Sequence, residues 1–210
     1  MLNSLSVSRF LDETASNSPA PGGGSVSALA ASLGSALASM VCRLTIGKNS
    51  NVTIQIELES VLIKSERLRA KFTALIDEDT NAFKKVIAAY RLPKDTTEQN
   101  AQRVGAIQAA YKEATVVPLQ LLELCAEAVA LLKIVGEKGN NNSLTDAGVA
   151  VLMLGAACEG AAMNIRINLA GITDLSFVEG NRILTNSLQA SINNSAQQTL
   201  FRINERLFSY

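Results

Sequence analysis

Pro19-Ala20-Pro21-Gly22-Gly23-Gly24-Ser25 opens onto a run of Ala, Ser, Gly and Leu that carries no charge before Arg43 and ends near Lys48. The prolines fix φ and restrict the residues before them, which predicts an extended approach. Three glycines then permit backbone angles and close contacts that side chains forbid. Ser25 is a suitable N-cap, so the spacing predicts a helix over Ser25–Ile46. That helix shows scarcely any polar face, so protein should surround it. At about 22 residues and ~33 Å it could also span a bilayer. Its serines, and the amphipathic segments downstream, favour a buried helix in a cytoplasmic protein without a membrane partner. Small residues at 27, 31, 35 and 39 suit close helix packing.

Working outward, residues 5–16 read as a short amphipathic helix with Val7, Phe10 and Leu11 inward. After a polar turn, Asn49-Ser50-Asn51, helical periodicity resumes near Ile56 and runs to Arg91. Leu92-Pro93-Lys94 ends it, and Thr96 with Gln99 makes a capping box for the next helix. A kink or break is expected at Pro118, then a helix over 119–136. Asn140-Asn141-Asn142 leads to Ser143 and Asp146, an S-x-x-D start for a helix to Leu169; a last helix begins at Ser176. Nothing alternates with period two for long. The fold class is all-α, one domain over 1–210 built as a multihelical bundle around the small-residue helix.

The 19 basic and 19 acidic residues cancel, which argues against nucleic acid or an anionic surface as partner. The three cysteines are widely spaced in apolar patterns and read as buried free thiols. With no histidine, Ser-His and Cys-His catalysis are excluded, as are Cys/His metal sites. A general base must then be a carboxylate, a lysine, a tyrosine or a water they hold. The opening residues show no basic segment leading into an apolar run, so no signal peptide is expected.

Few residues stand out as chemistry. Asp79 falls inside the apolar stripe of Phe72, Leu75, Ile76, Ala82, Phe83 and Val86, whereas Asp77 and Glu78 do not. Burial of an unpaired carboxylate is costly, so Asp79 is either a pocket acid or base, or half of a buried pair with Arg43 or Lys48. The amides of Gly22, Gly23, Gly24 and Ser25 either bind an anion at a helix N-terminus or simply form a tight entrance. Asn164 and Asn168 share one helix face, as a hydrogen-bonding notch or as bridges between helices. Asp146 favours a helix dipole or belongs to a site, and Lys48 and Lys94 follow helix ends where cations are favourable or could meet an anionic substrate tail.

Taken together, these motifs resemble the cyclodeaminase/cyclohydrolase family acting on one-carbon tetrahydrofolates. The likeness rests on Pro19 to Ser25, Leu44-Thr45-Ile46-Gly47-Lys48, Asp79 with Ala82-Phe83, Leu92-Pro93-Lys94, Gly139 to Ser143 with Asp146, and Gly160 through Asn168. It implies a helical bundle that associates as a dimer, needs no prosthetic group or metal, and takes a tetrahydrofolate derivative as substrate. By that resemblance Asp79 and Lys48 are catalytic, while Pro21, Gly22, Gly23, Gly24, Ser25, Lys94, Asn140, Asn142, Asp146, Asn164 and Asn168 bind substrate. The implied reaction is hydrolysis of methenyltetrahydrofolate to formyltetrahydrofolate. Its alternatives are ammonia release from formiminotetrahydrofolate and a non-catalytic helical scaffold. Where the family carries further lysines and a tyrosine after its Gly-Lys, this chain has Asn49-Ser50-Asn51.

Overall fold

The computed structural model describes residues 1–48 and 51–208, so Asn49 and Ser50 of the expected polar turn lie outside the described residues. Six α-helices and no strand occur among them: α1 (Val7–Ala15), α2 (Gly23–Thr45), α3 (Val52–Tyr90), α4 (Thr97–Lys138), α5 (Leu144–Leu169) and α6 (Leu175–Leu207). Short 3₁₀ turns at Leu2–Ser4 and Asn141–Ser143 complete the list.

The small-residue run is the central post. Ser25, Ser32 and Ser39 recur every seven residues on α2 and face Thr80, Thr73 and Glu66, spaced by seven on the antiparallel α3. Ser25 Oγ lies 3.1 Å from Thr80 Oγ1, and Ser32 Oγ 2.8 Å from Thr73 Oγ1. Heptad spacing keeps the serines in one seam, where the Ser25 and Ser32 hydroxyls are paired across to α3. The opposite flank meets α5: a Cβ at Gly160 would collide with Ser27 Oγ, and one at Gly34 would stand 2.9 Å from the Ala150 carbonyl oxygen. Close approach there requires glycine. Leu58, Leu68, Phe72, Leu122, Leu132 and Ile165 fill the core around this post and are essentially inaccessible. α2, α4 and Asn141–Leu169 are each long and apolar enough to cross a membrane by length and composition. In this fold α2 packs along α3 on one side and α5 on the other.

Several boundaries differ from the sequence reading. Gly22, not Ser25, is the N-cap of α2, and Ser25 is fully buried in its first turn. The approach bends through a cis Ala20–Pro21 peptide rather than running extended. Helix α3 starts at Val52 because Asn51 caps it, its side chain accepting from the Thr53 and Ile54 amides. In α1 only Phe10 is buried; Val7 and Leu11 remain exposed, because nine residues lying across the α2–α3 seam present one side chain to it. Asp77 is also tied down, accepting from the Leu2 amide at 2.6 Å. The Thr96–Gln99 capping box forms as expected. Ser143 precedes α5 without a side-chain cap bond, and Asp174 caps α6 instead of a start at Ser176.

Pro118 causes no break: α4 runs unbroken from Thr97 to Lys138. Proline at 118 has no N–H for the carbonyl of residue 114. The Asn168 amide of α5 donates to that carbonyl at 2.9 Å, which relieves the defect. Beyond the N-terminus of α2, α3 and α4 continue as a hairpin with its own small core, Ala82, Val86, Ala89, Ile107, Ala110 and Ala114.

Candidate active site

At the N-terminal end of α2 three helices leave a cleft of 180 Å³ lined by Gly22, Gly23, Gly24, Asp79, Thr80, Phe83, Ala114, Asn164 and Asn168. Its geometry follows from how α2 is capped. Gly22 contributes no side-chain cap. Asp79 reaches over from α3 and accepts from the backbone amide of Ser25 and from its hydroxyl, at 2.9 Å. A Cβ on Gly24 would stand 2.5 Å from Asp79 Cγ and 2.8 Å from Oδ2, so this carboxylate fits only over a glycine.

Burial raises the Asp79 carboxyl above its ordinary value, and the Ser25 bonds oppose that only in part. Ser25 Oγ also lies 2.9 Å from the Ile76 carbonyl oxygen. Ser25 can therefore donate to the charged carboxylate, or donate to Ile76 while a protonated Asp79 donates to it. Both protonation states are satisfied, which suits a group that takes and returns a proton.

Of the two asparagines only Asn168 bridges helices by a hydrogen bond, from α5 to α4; that of Asn164 stays within α5, and both side chains line the cleft. Asn164 donates to the Gly160 carbonyl at 2.8 Å and lies against Gly23; Asn168 donates to Ala114. With one N–H of each engaged, both side-chain carbonyls and the second N–H groups are left to pair with polar groups of a ligand. Pro21 is buried at the rim.

The remaining candidates lie elsewhere. Lys48 lines a separate 650 Å³ hollow with Thr45, Gly139, Asn140 and Asn142, at the other end of α2. Twenty-three helical residues put ~33 Å between the two ends, so Lys48 and Asp79 form no pair within one chain. Arg43 is not the partner either; it pairs with Glu66. Asn140 is engaged there: its amide donates to Thr45 Oγ1 at 2.9 Å and its side chain accepts from Asn142. Asp146 is half-buried in the first turn of α5, immediately after the same Asn141–Ser143 turn. Lys94 is exposed on the α3–α4 connection and lines none of these hollows.

Sequence reasoning overlooked Thr80 and Ala114. The heptad 66, 73, 80 could have indicated the first, and the four-residue interval from Ala114 to Pro118 the second. Burial pushes the Cys42 thiol up to about 11 and Cys158 to about 12, so neither is a nucleophile at neutral pH. Among the described residues no three Cys, Asp or Glu side chains cluster to hold a metal ion.

The family profile described as formiminotransferase-cyclodeaminase matches residues 6–183. A methenyltetrahydrofolate cyclohydrolase of Methylorubrum extorquens is 46% identical over 179 residues, 85% of this chain and 86% of that protein. The formimidoyltransferase-cyclodeaminase of Rattus norvegicus is 36% identical over 183 residues, covering 87% of this chain but 34% of its own length. The crystal structure of a formiminotetrahydrofolate cyclodeaminase from Thermotoga maritima superposes with a TM-score of 0.86 at 28% identity, over 99% of this chain and 98% of that one. An all-helical bundle on a glycine-entered central post, with this cleft at its end, belongs to the formiminotransferase-cyclodeaminase family.

Proposed function

We propose that this chain hydrolyses methenyltetrahydrofolate to formyltetrahydrofolate, with Asp79 as the general base. The observation that carries the reading is the setting of Asp79: a carboxyl raised by burial, with satisfied bonds in either protonation state, over the glycine end of α2. Methenyltetrahydrofolate carries a cationic amidinium carbon, so no metal or redox group is needed. A water adds its oxygen to that carbon and gives a proton to Asp79. The hydroxyl on that carbon then gives up its proton and becomes the formyl carbonyl as the carbon–nitrogen bond to one ring nitrogen breaks, and that nitrogen takes up a proton. The substrate's positive charge also favours the charged carboxylate beside it. The similarity to a cyclohydrolase along 85% of the chain supports this reaction over the others.

The second reading is cyclodeamination of formiminotetrahydrofolate, favoured by the fold match to a protein of that name. Asp79 would then return a proton to the departing ammonia. One assay separates them: decay of methenyltetrahydrofolate absorbance against buffer, beside ammonia release from formiminotetrahydrofolate. Asp79→Asn should remove about 10²- to 10⁴-fold of the hydrolysis. Full activity in that variant refutes the assignment of the base, and faster ammonia release than hydrolysis reverses the choice of reaction.

The enzyme works, in this proposal, as a cytoplasmic homodimer. Val26, Leu33 and Leu44 form an exposed stripe on α2, and Val149, Leu152, Met163 and Ile167 form another on α5; the two helices pack side by side. A patch of this kind marks an interface. A two-fold axis crossing α2 near its middle would bring the partner's Lys48 end beside this chain's Asp79 end. The two groups of family-like residues would then meet between subunits.

A further inference from the structure

The cleft at Asp79 shares Pro19, Ala20, Thr80 and Phe83 with a larger hollow of 870 Å³. One wall of it is a single face of α3, on which Thr80, Phe83, Lys84, Ile87, Ala88 and Arg91 follow one another at intervals of three, one, three, one and three residues. The other wall is the N-terminal segment, from Leu2 and Leu5 to Ser18.

The charges along this hollow are unevenly matched. Its two acids are engaged: Glu13 pairs with Arg9 at 2.6 Å, and Asp77 accepts from the Leu2 amide. The basic neighbours outside it are engaged too, Lys85 with Glu113 and Arg103 with the Tyr90 carbonyl. Among the described residues, no acidic side chain lies within ion-pair distance of Lys84 or Arg91. Two unneutralised cations thus stand on the wall of a groove that starts at the candidate base. Measured along the axis, Lys84 lies ~6 Å beyond Thr80 and Arg91 ~16 Å beyond it.

That layout fits an elongated ligand with a flat polar head, an apolar middle and an anionic end. We propose that Lys84 and Arg91 hold the glutamate carboxylates of the folate, with Phe83 and Ile87 beneath its aminobenzoyl ring. This deepens the folate reading and rests on it, and it places the tail on α3 rather than at Lys48 or Lys94. Further glutamates would continue past Arg91 into solvent.

The test uses calorimetric binding of 5-formyltetrahydrofolate and of its pteroate analogue, which lacks the glutamate. Wild type is compared with Lys84→Ala/Arg91→Ala, and melting temperatures confirm that both fold. The double variant should bind the folate about 10- to 100-fold more weakly, the loss expected for truncating donors to carboxylates. It should bind the pteroate as wild type does, and added salt should weaken folate binding in wild type more than in the variant. Equal folate affinity in both proteins overturns the tail assignment and leaves the folate reading standing. Wild type that binds neither compound and turns over neither candidate substrate refutes the folate reading, and the tail assignment with it.

Discussion

Gly24→Ala isolates the feature on which the site depends. The added Cβ would stand 2.5 Å from Asp79 Cγ and 2.8 Å from Oδ2, where carbon contacts settle at roughly 3.5–4 Å. The carboxylate must therefore shift by about 1 Å or rotate away, giving up the Ser25 amide and hydroxyl. Hydrogen bonds to a charged group contribute about 1.5–3 kcal/mol each, and alanine recovers up to ~1 kcal/mol of helix propensity. A 1 Å displacement of a reacting group costs about 10²-fold in rate. The expected outcome is a fall of about 10²- to 10³-fold in methenyltetrahydrofolate hydrolysis, with a melting temperature lowered by roughly 4–20 °C. Gly105→Ala is the control: nothing lies within 4 Å of a Cβ there, so activity should be unchanged and stability equal or slightly higher. A Gly24→Ala enzyme whose kcat/KM stays within about threefold of wild type refutes the role given to Asp79, because no ordinary rotamer reconciles that Cβ with the observed carboxylate.

Four other outcomes follow from the structure and the proposed reaction. Asp79 binds its proton more tightly folded than unfolded, so its contribution to stability is full below about 3.8 and is lost as pH rises through the raised folded value; denaturant titrations should show this fall in wild type and not in Asp79→Asn. The acid limb of kcat/KM should lie above the ordinary aspartate range, and that of kcat lower, because the bound cation favours the carboxylate; coincident limbs contradict it. Pro118→Ala restores an amide that competes with Asn168 for the Ala114 carbonyl, so it should raise the melting temperature while raising KM; an unchanged KM means the Asn168 orientation is immaterial. Mixing Asp79→Asn and Lys48→Ala subunits should recover about a quarter of wild-type activity if each site draws on two chains, and none if it does not.

The bundle was legible because its central helix is written in residues that tolerate only burial. An uncharged Ala/Ser/Gly run with glycines at the entrance has few other places to go. Helix edges were less legible because caps depend on who donates: Ser25 looks like a cap, yet its hydroxyl is committed to α3 and Asp79 does the capping. Pro118 misled for a related reason. A proline breaks a helix when the orphaned carbonyl has no partner, and here the partner is 54 residues away on α5. The distance between Lys48 and Asp79 was invisible, since motif order along a chain carries no information about which end of a 23-residue helix each motif reaches.

The structural and the proposed functional readings of these residues are compatible. A buried carboxylate needs donors, and the N-terminus of α2 needs an acceptor once a glycine occupies its cap position. Asp79 meets both needs, so removing it costs the protein a cap as well as the proposed base. Asn168 likewise satisfies the carbonyl that Pro118 leaves free and keeps its own carbonyl for the cleft. These side chains line the cleft and are positioned there by structural bonds. That is why stability alone cannot report on this site: Asn168→Ala disturbs α4 and the cleft together. Only a variant such as Gly24→Ala, which displaces the carboxylate without deleting it, separates position from presence.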